Sequence, residues 1–448
     1  MDFQTPKGTR DYLGEDAERM QSVVDIVRGV FERFGFRPLF TPAFEDFALL
    51  GVKGGLGEAV KDEIYFFKDK SDRELGLRFD LTMPMVRVVA TNPQMQKPFR
   101  RYAIGNVWRY ENPQSMRFRE FMQADVDVVG SASLRADVEC VAIACECLDR
   151  LGFDEYYVRT NNRKLLQVIF EKLIGADKVK DAFRSIDKLD KIGEDGVKAE
   201  LEQKGIPAKE ILRFLRIQGS NKAVLSKLRK AYGESEGIAE MESMFALAKE
   251  FGVEKRLKFD VSLVRGLDYY TGPLFEVYLG EKFGCGGGGR YDRLIQDVGG
   301  PATPATGISL GVSRIVEVMK ERGMSEKLQA GKAKIFLANV GDESFAYALK
   351  MASKLRKKGI VCETDSMQRK LGQQLEYADG AKFRYAVVIG NNEIASGRFR
   401  LKDMMSNKED EEMPLARIAQ KIKSADRPVP RPKTEDRIKS KRNYFLEP

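Results

Sequence analysis

Residues Arg100 to Gly130 constrain the fold of this chain more than any other stretch. Two runs of alternating apolar and polar residues flank Asn112-Pro113-Gln114-Ser115, which has turn chemistry, so the segment predicts a long β-hairpin. Period-two alternation separates its faces. On the outgoing strand Tyr102, Ile104, Trp108 and Tyr110 point one way, while Arg109 and Glu111 point the other. On the return strand Phe118, Met122, Ala124, Val126 and Val128 form the apolar face; Arg117, Arg119, Phe121, Gln123, Asp125 and Asp127 lie opposite. An antiparallel sheet can be polar on one side merely because that side is wet. The combination argues for more. Six basic residues and one acidic residue lie between Lys97 and Arg119. One face thus offers guanidinium groups for phosphates, an aromatic ring for a base, and an amide with carboxylates for a small polar molecule.

The rest of the chain divides around this hairpin. Met20, Val23, Val24, Val27, Val30, Phe31 and Phe34 mark one stripe of a helix ending near Gly35, and Pro38 and Pro42 bracket an extended segment after it. From about residue 161 to 252 the pattern is helical and charge-rich, with β-type sequence resuming near Leu257. Apolar runs at 335–337, 360–362 and 386–389 alternate with helical patterns, which predicts a small separate α/β domain with a mainly parallel sheet. The final stretch, Ser424 to Pro448, holds seven basic residues, four acidic residues and four prolines, and reads as a mobile basic tail or a docking arm. At 448 residues the chain has room for about three domains.

Composition then excludes whole classes of chemistry. The chain contains no histidine, which removes Ser-His-Asp and Cys-His catalysis, histidine metal sites and imidazole general bases. Its five cysteines include no C-x-x-C pair, so neither a zinc site nor a disulfide framework is expected. No apolar run approaches the roughly 20 residues needed to cross a bilayer, and the polar stretch Met1–Arg10 does not read as a secretory signal. A soluble, cytoplasmic protein is expected. The net charge of +9 favours a polyanionic partner such as nucleic acid, although solvated surface alone gives such a value.

Three further segments stand out. Leu263 to Gly272 packs Arg265, Asp268, Tyr269 and Tyr270 between glycines, and Gly307 to Arg314 opens with glycines and runs into the apolar helix Ile315–Met319. On spacing alone the first is equally a turn or a site, and the second equally a helix start or a site. The run Gly284–Gly289 formally matches G-x-G-x-x-G, but consecutive glycines satisfy that pattern easily and no βαβ unit with a placed acid follows. A flexible turn or a close backbone approach is the expected role. The chain has no G-x-x-x-x-G-K-[ST] phosphate loop.

Across nearly its whole length the chain resembles the histidyl-tRNA synthetases, a class II aminoacyl-tRNA synthetase family. The residues that carry the resemblance are Pro6-Lys7-Gly8-Thr9-Arg10-Asp11, Leu77-Arg78-Phe79-Asp80-Leu81-Thr82, the hairpin (similar to class II motif 2), Leu263–Gly272 (similar to the family's histidine signature) and Gly307–Arg314 (similar to motif 3). The helix before Gly35 and the segment near Pro42 look like motif 1, the dimer-forming element. Asp80 and Asp127 stand where many bacterial members carry glutamate, which places the chain nearer the archaeal and eukaryotic branch.

The resemblance implies an α/β multidomain protein. An α+β catalytic core at 1–325, built on an antiparallel sheet flanked by helices, is interrupted by a helical insertion at about 161–252. A C-terminal α/β anticodon-binding domain follows at 332–423, then the basic tail 424–448. It implies ATP-dependent attachment of histidine to tRNA(His) through histidyl-adenylate, with Mg2+ accompanying ATP, in a homodimer. Position by position, Arg109 and Arg265 would be catalytic. Asp80, Thr82 and Gln123 would hold the histidine α-amino end, and Asp127, Tyr269 and Tyr270 would surround its imidazole. Arg265 would lie between the histidine carboxylate and the α-phosphate. Arg109, Glu111, Arg117, Phe121 and Arg314 would bind ATP, with Arg109 on the α-phosphate, Phe121 stacked on the adenine and Arg314 over its other face. Gln114 would meet the tRNA acceptor end. The rival expectation is a histidine-sensing regulatory paralogue of ATP phosphoribosyltransferase, but such proteins generally lack the anticodon domain and lose catalytic arginines.

Overall fold

The computed structural model describes residues 3–52, 63–112, 116–264, 269–281, 283–324 and 334–425. Gln114, Arg265 and the tail beyond residue 425 therefore lie outside the described residues. The chain divides into two compact units, Met1–Ser325 and Glu326–Pro448.

In the first unit the sequence stripe becomes helix α1, Gly14–Arg33, which buries Met20, Val23, Val24, Val27, Val30 and Phe31. It stops where Gly35 adopts φ +78°, a left-handed conformation that costs glycine nothing sterically. An eight-stranded sheet follows. Its strands are β1 (Arg37–Pro38), β2 (Phe99–Trp108), β3 (Glu120–Val129), β4 (Tyr156–Asn162), β5 (Leu257–Phe259), β6 (Pro273–Leu279), β7 (Phe283–Arg290) and β8 (Ala305–Gly311), in the order β1-β2-β3-β8-β7-β6-β4-β5. The pairings from β2 through to β4 are antiparallel, whereas both edge strands, β1 and β5, pair in parallel. The expected hairpin is β2–β3, in a register that sets Arg101 opposite Asp127 and Ala103 opposite Asp125.

Helix α2 (Thr82–Thr91) begins beside the hairpin, and the Asp80 carboxylate accepts from the amides of Thr82 and Met83 at 3.0 and 2.9 Å. That bonding satisfies two of the donors a helix start leaves open. Helix α3 (Leu134–Arg150), started by the Ser133 side chain, packs against α1 and β8. Its buried Asp137 pairs with the equally buried Arg290 at the end of β7, and the same guanidinium donates to the carbonyls of Ser131 and Ser133. This fixes the helix to the sheet centre.

Between β4 and β5 the chain is helical: α4 (Arg163–Ile174), α5 (Val179–Ile186), α6 (Leu189–Gln203), α7 (Ala208–Leu215), α8 (Asn221–Tyr232) and α9 (Glu236–Glu250). Phe170 anchors this group, its ring 5.0 Å from Phe183 and 5.3 Å from Phe214. Helix α10 (Val312–Glu321) leaves directly from β8, so Gly307–Gly311 is strand and only the residues after it are helix.

The second unit has strands β9 (Ile335–Asn339), β10 (Cys362–Thr364), β11 (Tyr385–Ile389), β12 (Lys402–Asp403) and β13 (Lys408–Glu409), ordered β10-β9-β11-β12-β13. It also holds helices α11 (Gly341–Lys357), α12 (Leu371–Gly380) and α13 (Leu415–Ala425), a short helix at Asn391–Ser396, and an antiparallel pairing of Arg398–Phe399 with Met413–Pro414. The first three strands are parallel, as the alternation of apolar runs and helices predicts; β12 and β13 add an antiparallel edge. The sequence expectation of a mainly parallel sheet thus missed two short strands whose two-residue length leaves no periodicity to detect. Apolar cores lie on both faces, one around Leu337, Met351 and Ile418 and the other around Phe336 and Phe383.

Candidate active site

A cavity of about 790 Å³ opens over the middle of the eight-stranded sheet. Its floor is almost bare backbone. A Cβ on Gly288 would stand 2.0 Å from the Gly307 carbonyl oxygen, and one on Gly286 2.5 Å from that of Ser309. A Cβ on Gly307 would meet Asp127 Oδ1 at 2.1 Å. The expected turn at Gly284–Gly289 is therefore a central strand, β7, while the expected close approach of backbones is present. The glycines are there because β7 and β8 leave no room for side chains.

Strand β3 supplies one wall. Phe121, Gln123, Asp125 and Asp127 all face the cavity, as alternation requires. Asp127 is gripped from two directions: Arg101 Nη2 lies 2.5 Å from its Oδ2, and the Tyr291 hydroxyl donates to its Oδ1. Arg101 is fully buried, donates also to the Leu81 carbonyl at 3.0 Å, and leaves Nε and Nη1 without partners. Burial and the neighbouring Asp127 push the Tyr291 hydroxyl well above its ordinary range, so it stays a proton donor. Gln123 Nε2 donates to Ser309 Oγ at 2.9 Å, and its Oε1 is buried without a partner.

Asp80 and Thr82 enter the same end from the start of α2, and Tyr269 and Tyr270 from the far side, their rings 4.4 Å apart. Tyr269 also meets Tyr291 edge-on at 6.1 Å. The result is an acidic compartment walled by three tyrosines.

The other end is cationic. Arg109, Arg117 and Arg314 line it. Arg314 donates to the Gly284 carbonyl at 2.6 Å, and its pKa is lowered by burial and then by repulsion from Arg117 and Arg109. Guanidiniums that repel one another in a partly dry site are prepared for a polyanion. Glu111 pairs with Arg117. Arg109 donates to the Phe79 carbonyl at 3.2 Å, and its guanidinium sits 5.1 Å over the Phe121 ring. One face of the Phe121 ring is thus taken by Arg109, and a base can stack only on the other.

All eleven described residues expected at the site therefore reach one cavity; the remaining two, Arg265 and Gln114, lie outside the described residues. Four contributors escaped the sequence reading. Arg101 and Tyr291 look like ordinary strand residues, and only the hairpin register and Asp127 reveal them. Asp125 was on the correct face without a role. The fourth is the helical run, whose Ile186, Leu189 and Asp190 line the cavity. Asp190 stands 3.4 Å from Arg159, which also binds Asp260 (3.0 Å), Tyr278 (3.1 Å) and Ser262 (3.0 Å). Among the described residues no group of three or more Asp, Glu, Cys or His side chains is placed to hold a metal ion.

Comparison with known proteins agrees with this architecture. The family model for histidyl-tRNA synthetase matches residues 8–315, and that for an anticodon binding domain matches 334–425. Histidine–tRNA ligase from Aeropyrum pernix is 41% identical over 378 residues, spanning 82% of this chain and 86% of its own. That from Korarchaeum cryptofilum is 38% identical over 397 residues, 87% and 91% of the two chains. The crystal structure of histidyl-tRNA synthetase from Nostoc sp. PCC 7120 superposes with a TM-score of 0.82 at 33% identity, covering 95% of this chain and 99% of that one. Sheet, cavity and relatives together define a class II aminoacyl-tRNA synthetase. Within that class the chain belongs to the histidyl-tRNA synthetase family.

Proposed function

We propose that this chain joins histidine to tRNA(His) in two steps, forming histidyl-adenylate and pyrophosphate from histidine and ATP, then transferring the histidyl group and releasing AMP. The observation that carries this reading is the polarity of one cavity, with buried carboxylates at one end and converging guanidiniums at the other. An amino acid has its cation and an activated nucleotide its anions in that same order.

Attack of the histidine carboxylate on the α-phosphate brings two anions together and builds further charge in the transition state. Fixed cations offset this charge without reorganising, usually the largest single catalytic contribution. We assign that task to Arg109 and Arg265, with Arg117 and Arg314 on the outer phosphates and Phe121 and Glu111 at the adenine. Asp80, Thr82 and Gln123 take the amino-acid end. Asp127 and Tyr270 read the imidazole beside Tyr269. A site built to hydrogen-bond its substrate rejects analogues that lack those groups by about 10⁴–10⁵-fold. Magnesium enters with ATP as part of the substrate, and we assign it no protein ligands. To Gln114 we assign contact with the acceptor end of the tRNA, and to the second unit the reading of the anticodon.

We read the chain as a cytoplasmic homodimer. Supporting a dimer is Phe40, which is 89% exposed at the mouth of a groove of about 570 Å³ lined by Met20, Val24 and Leu39. Among the described residues no helix is long and apolar enough to cross a membrane. Sedimentation equilibrium tests the dimer.

Amino-acid-dependent ATP–pyrophosphate exchange, run with each of the twenty amino acids, tests the activity. Exchange with histidine alone is expected. Histidine binding without exchange would overturn the enzyme reading and favour a regulatory histidine sensor.

A further inference from the structure

Three carboxylates are buried in the acidic compartment, those of Asp80, Asp125 and Asp127; the one fully buried guanidinium beside them, Arg101, pairs with Asp127 and reaches Asp125 only through its charge. Asp127 is occupied by Arg101 and Tyr291, and Asp80 caps α2. Asp125 is different. It lies midway along β3 on the cavity side, only 3% exposed, and its Oδ1 has no hydrogen-bond partner. Two residues away on the same face, roughly 7 Å along the strand, Gln123 Oε1 is equally buried and equally without a partner. Unsatisfied buried acceptors are rare, and each costs on the scale of a lost hydrogen bond. Two of them side by side, in a compartment with more buried anions than cations, describe a binding site for a cationic donor.

An ammonium group has one positive charge and three N–H donors. We propose that Asp125 accepts from the α-ammonium group of the amino-acid substrate, completing with Gln123 and Asp80 a set of three acceptors for its three donors. This rests on reading the cavity as the amino-acid site, and it adds a residue that neither the motifs nor the roles above include.

A protonic signature follows. The groups facing Asp125 are Asp127 and Gln123 on its own strand, Arg101 from β2, Ser309 from β8, Asp80 from the start of α2 and, more distantly, the half-buried Arg78 just before it. Burial first, then Asp127 and Asp80, outweigh Arg101 and the Ser309 hydroxyl and push its carboxyl up to about 7. An arriving ammonium favours the carboxylate, so the proton leaves for the buffer as the ligand binds. The chain has no histidine of its own, so in untagged protein every imidazole signal comes from the ligand. Its protonation is read directly by NMR and subtracted.

The experiment is calorimetric titration of L-histidine into the full chain, in buffers of different ionisation enthalpy, between pH 6 and 8.5. After correction for the imidazole and for the ligand's own amino group, net proton release is expected near pH 6–6.5 and should fall away towards pH 8.5. Asp125→Asn should abolish the release and weaken histidine about 10–100-fold, the range of one hydrogen bond to a charged group. Binding of 3-(imidazol-4-yl)propionate, which lacks the amino group, should be the same in variant and wild type. Release that persists in D125N, or equal losses for the two ligands, overturns the proposal. Should D125N fail to fold, the wild-type protein decides with the two ligands: equal affinity and equal proton release for histidine and for its deamino analogue overturn it. A wild type that binds another amino acid instead overturns the histidine reading alone, and the same two arms then run with that acid and its deamino analogue.

Discussion

Arg101 Nη2 lies 2.5 Å from Asp127 Oδ2, with both side chains closed off from solvent. The two are direct cross-strand partners in β2 and β3. Hairpin register alone therefore delivers a buried cation to the carboxylate assigned to the imidazole, and Tyr291 fixes that carboxylate from the other side. The orientation of the Asp127 carboxylate is thus set by the protein alone.

Removing one partner of a buried pair leaves an uncompensated charge. Arg101→Met should cost about 3–5 kcal/mol of stability, read as a lower urea midpoint. The double variant Arg101→Met/Asp127→Leu should regain most of it, because two apolar side chains fill the site without an orphan charge. It should not regain histidine activation. A single variant as stable as wild type would show that the pair is not holding Asp127.

Asp125 should make the empty protein less stable as pH rises. Its folded pKa, about 7, stands above the ordinary 3.8, so the folded state holds a proton that the unfolded state has lost between those values. Stability therefore falls as pH rises through that window and levels off above it. Asp125→Asn removes the penalty. The variant should be more stable than wild type by a few kcal/mol at pH 8 and by little at pH 4, measured by urea unfolding at both values. A stabilising substitution that weakens substrate binding would identify the carboxylate as retained for function.

Gly307→Ala should abolish amino-acid activation. Its Cβ would sit 2.1 Å from Asp127 Oδ1 and 2.7 Å from the Val126 carbonyl oxygen. The carboxylate must swing away and break with Arg101 or Tyr291. A loss of at least about 10²-fold in kcat/KM for histidine is expected, with ATP binding close to normal. Wild-type exchange kinetics would contradict the close approach.

Arg314→Gln separates binding charge from stability. Burial first, and then repulsion from the nearby Arg117 and Arg109, depress the pKa of the Arg314 side chain. Neutralising it should leave the melting temperature of the free protein equal or slightly higher. Adenylate formation should slow about 10²–10³-fold, measured in single-turnover burst experiments. Melting well below wild type would mean that its bond to the Gly284 carbonyl matters more to the fold than its charge does to the site.

How much of this was legible in the sequence depends on range. The faces of β2 and β3 were readable because alternation is local, so Gln123, Asp125 and Asp127 came out together. The stripe of α1 was readable for the same reason. Residues that act across strands were not. Nothing in the neighbourhood of Arg101 distinguishes it from Arg100, which pairs with Glu139 instead. Tyr291 gains its meaning only from Asp127, 164 positions away. The glycine run misled because local chemistry favours a turn, whereas packing of β7 between β6 and β8 made it a strand. Asp190 was beyond reach, since helical periodicity does not say which turn of an insertion will meet Arg159.

The bare floor of β7 and β8 also decides where this pocket can be re-engineered. Positions 286, 288 and 307 accept no side chain without displacing backbone or Asp127, so they offer a designer nothing to vary. The tyrosine wall is different at Tyr269, whose ring lies 4.4 Å from that of Tyr270 and 6.1 Å from that of Tyr291, so that a smaller ring at 269 would open space while Tyr291 keeps its bond to Asp127. Loading ring-methylated or enlarged imidazole analogues onto tRNA is therefore a matter of carving that wall over a floor that stays as it is.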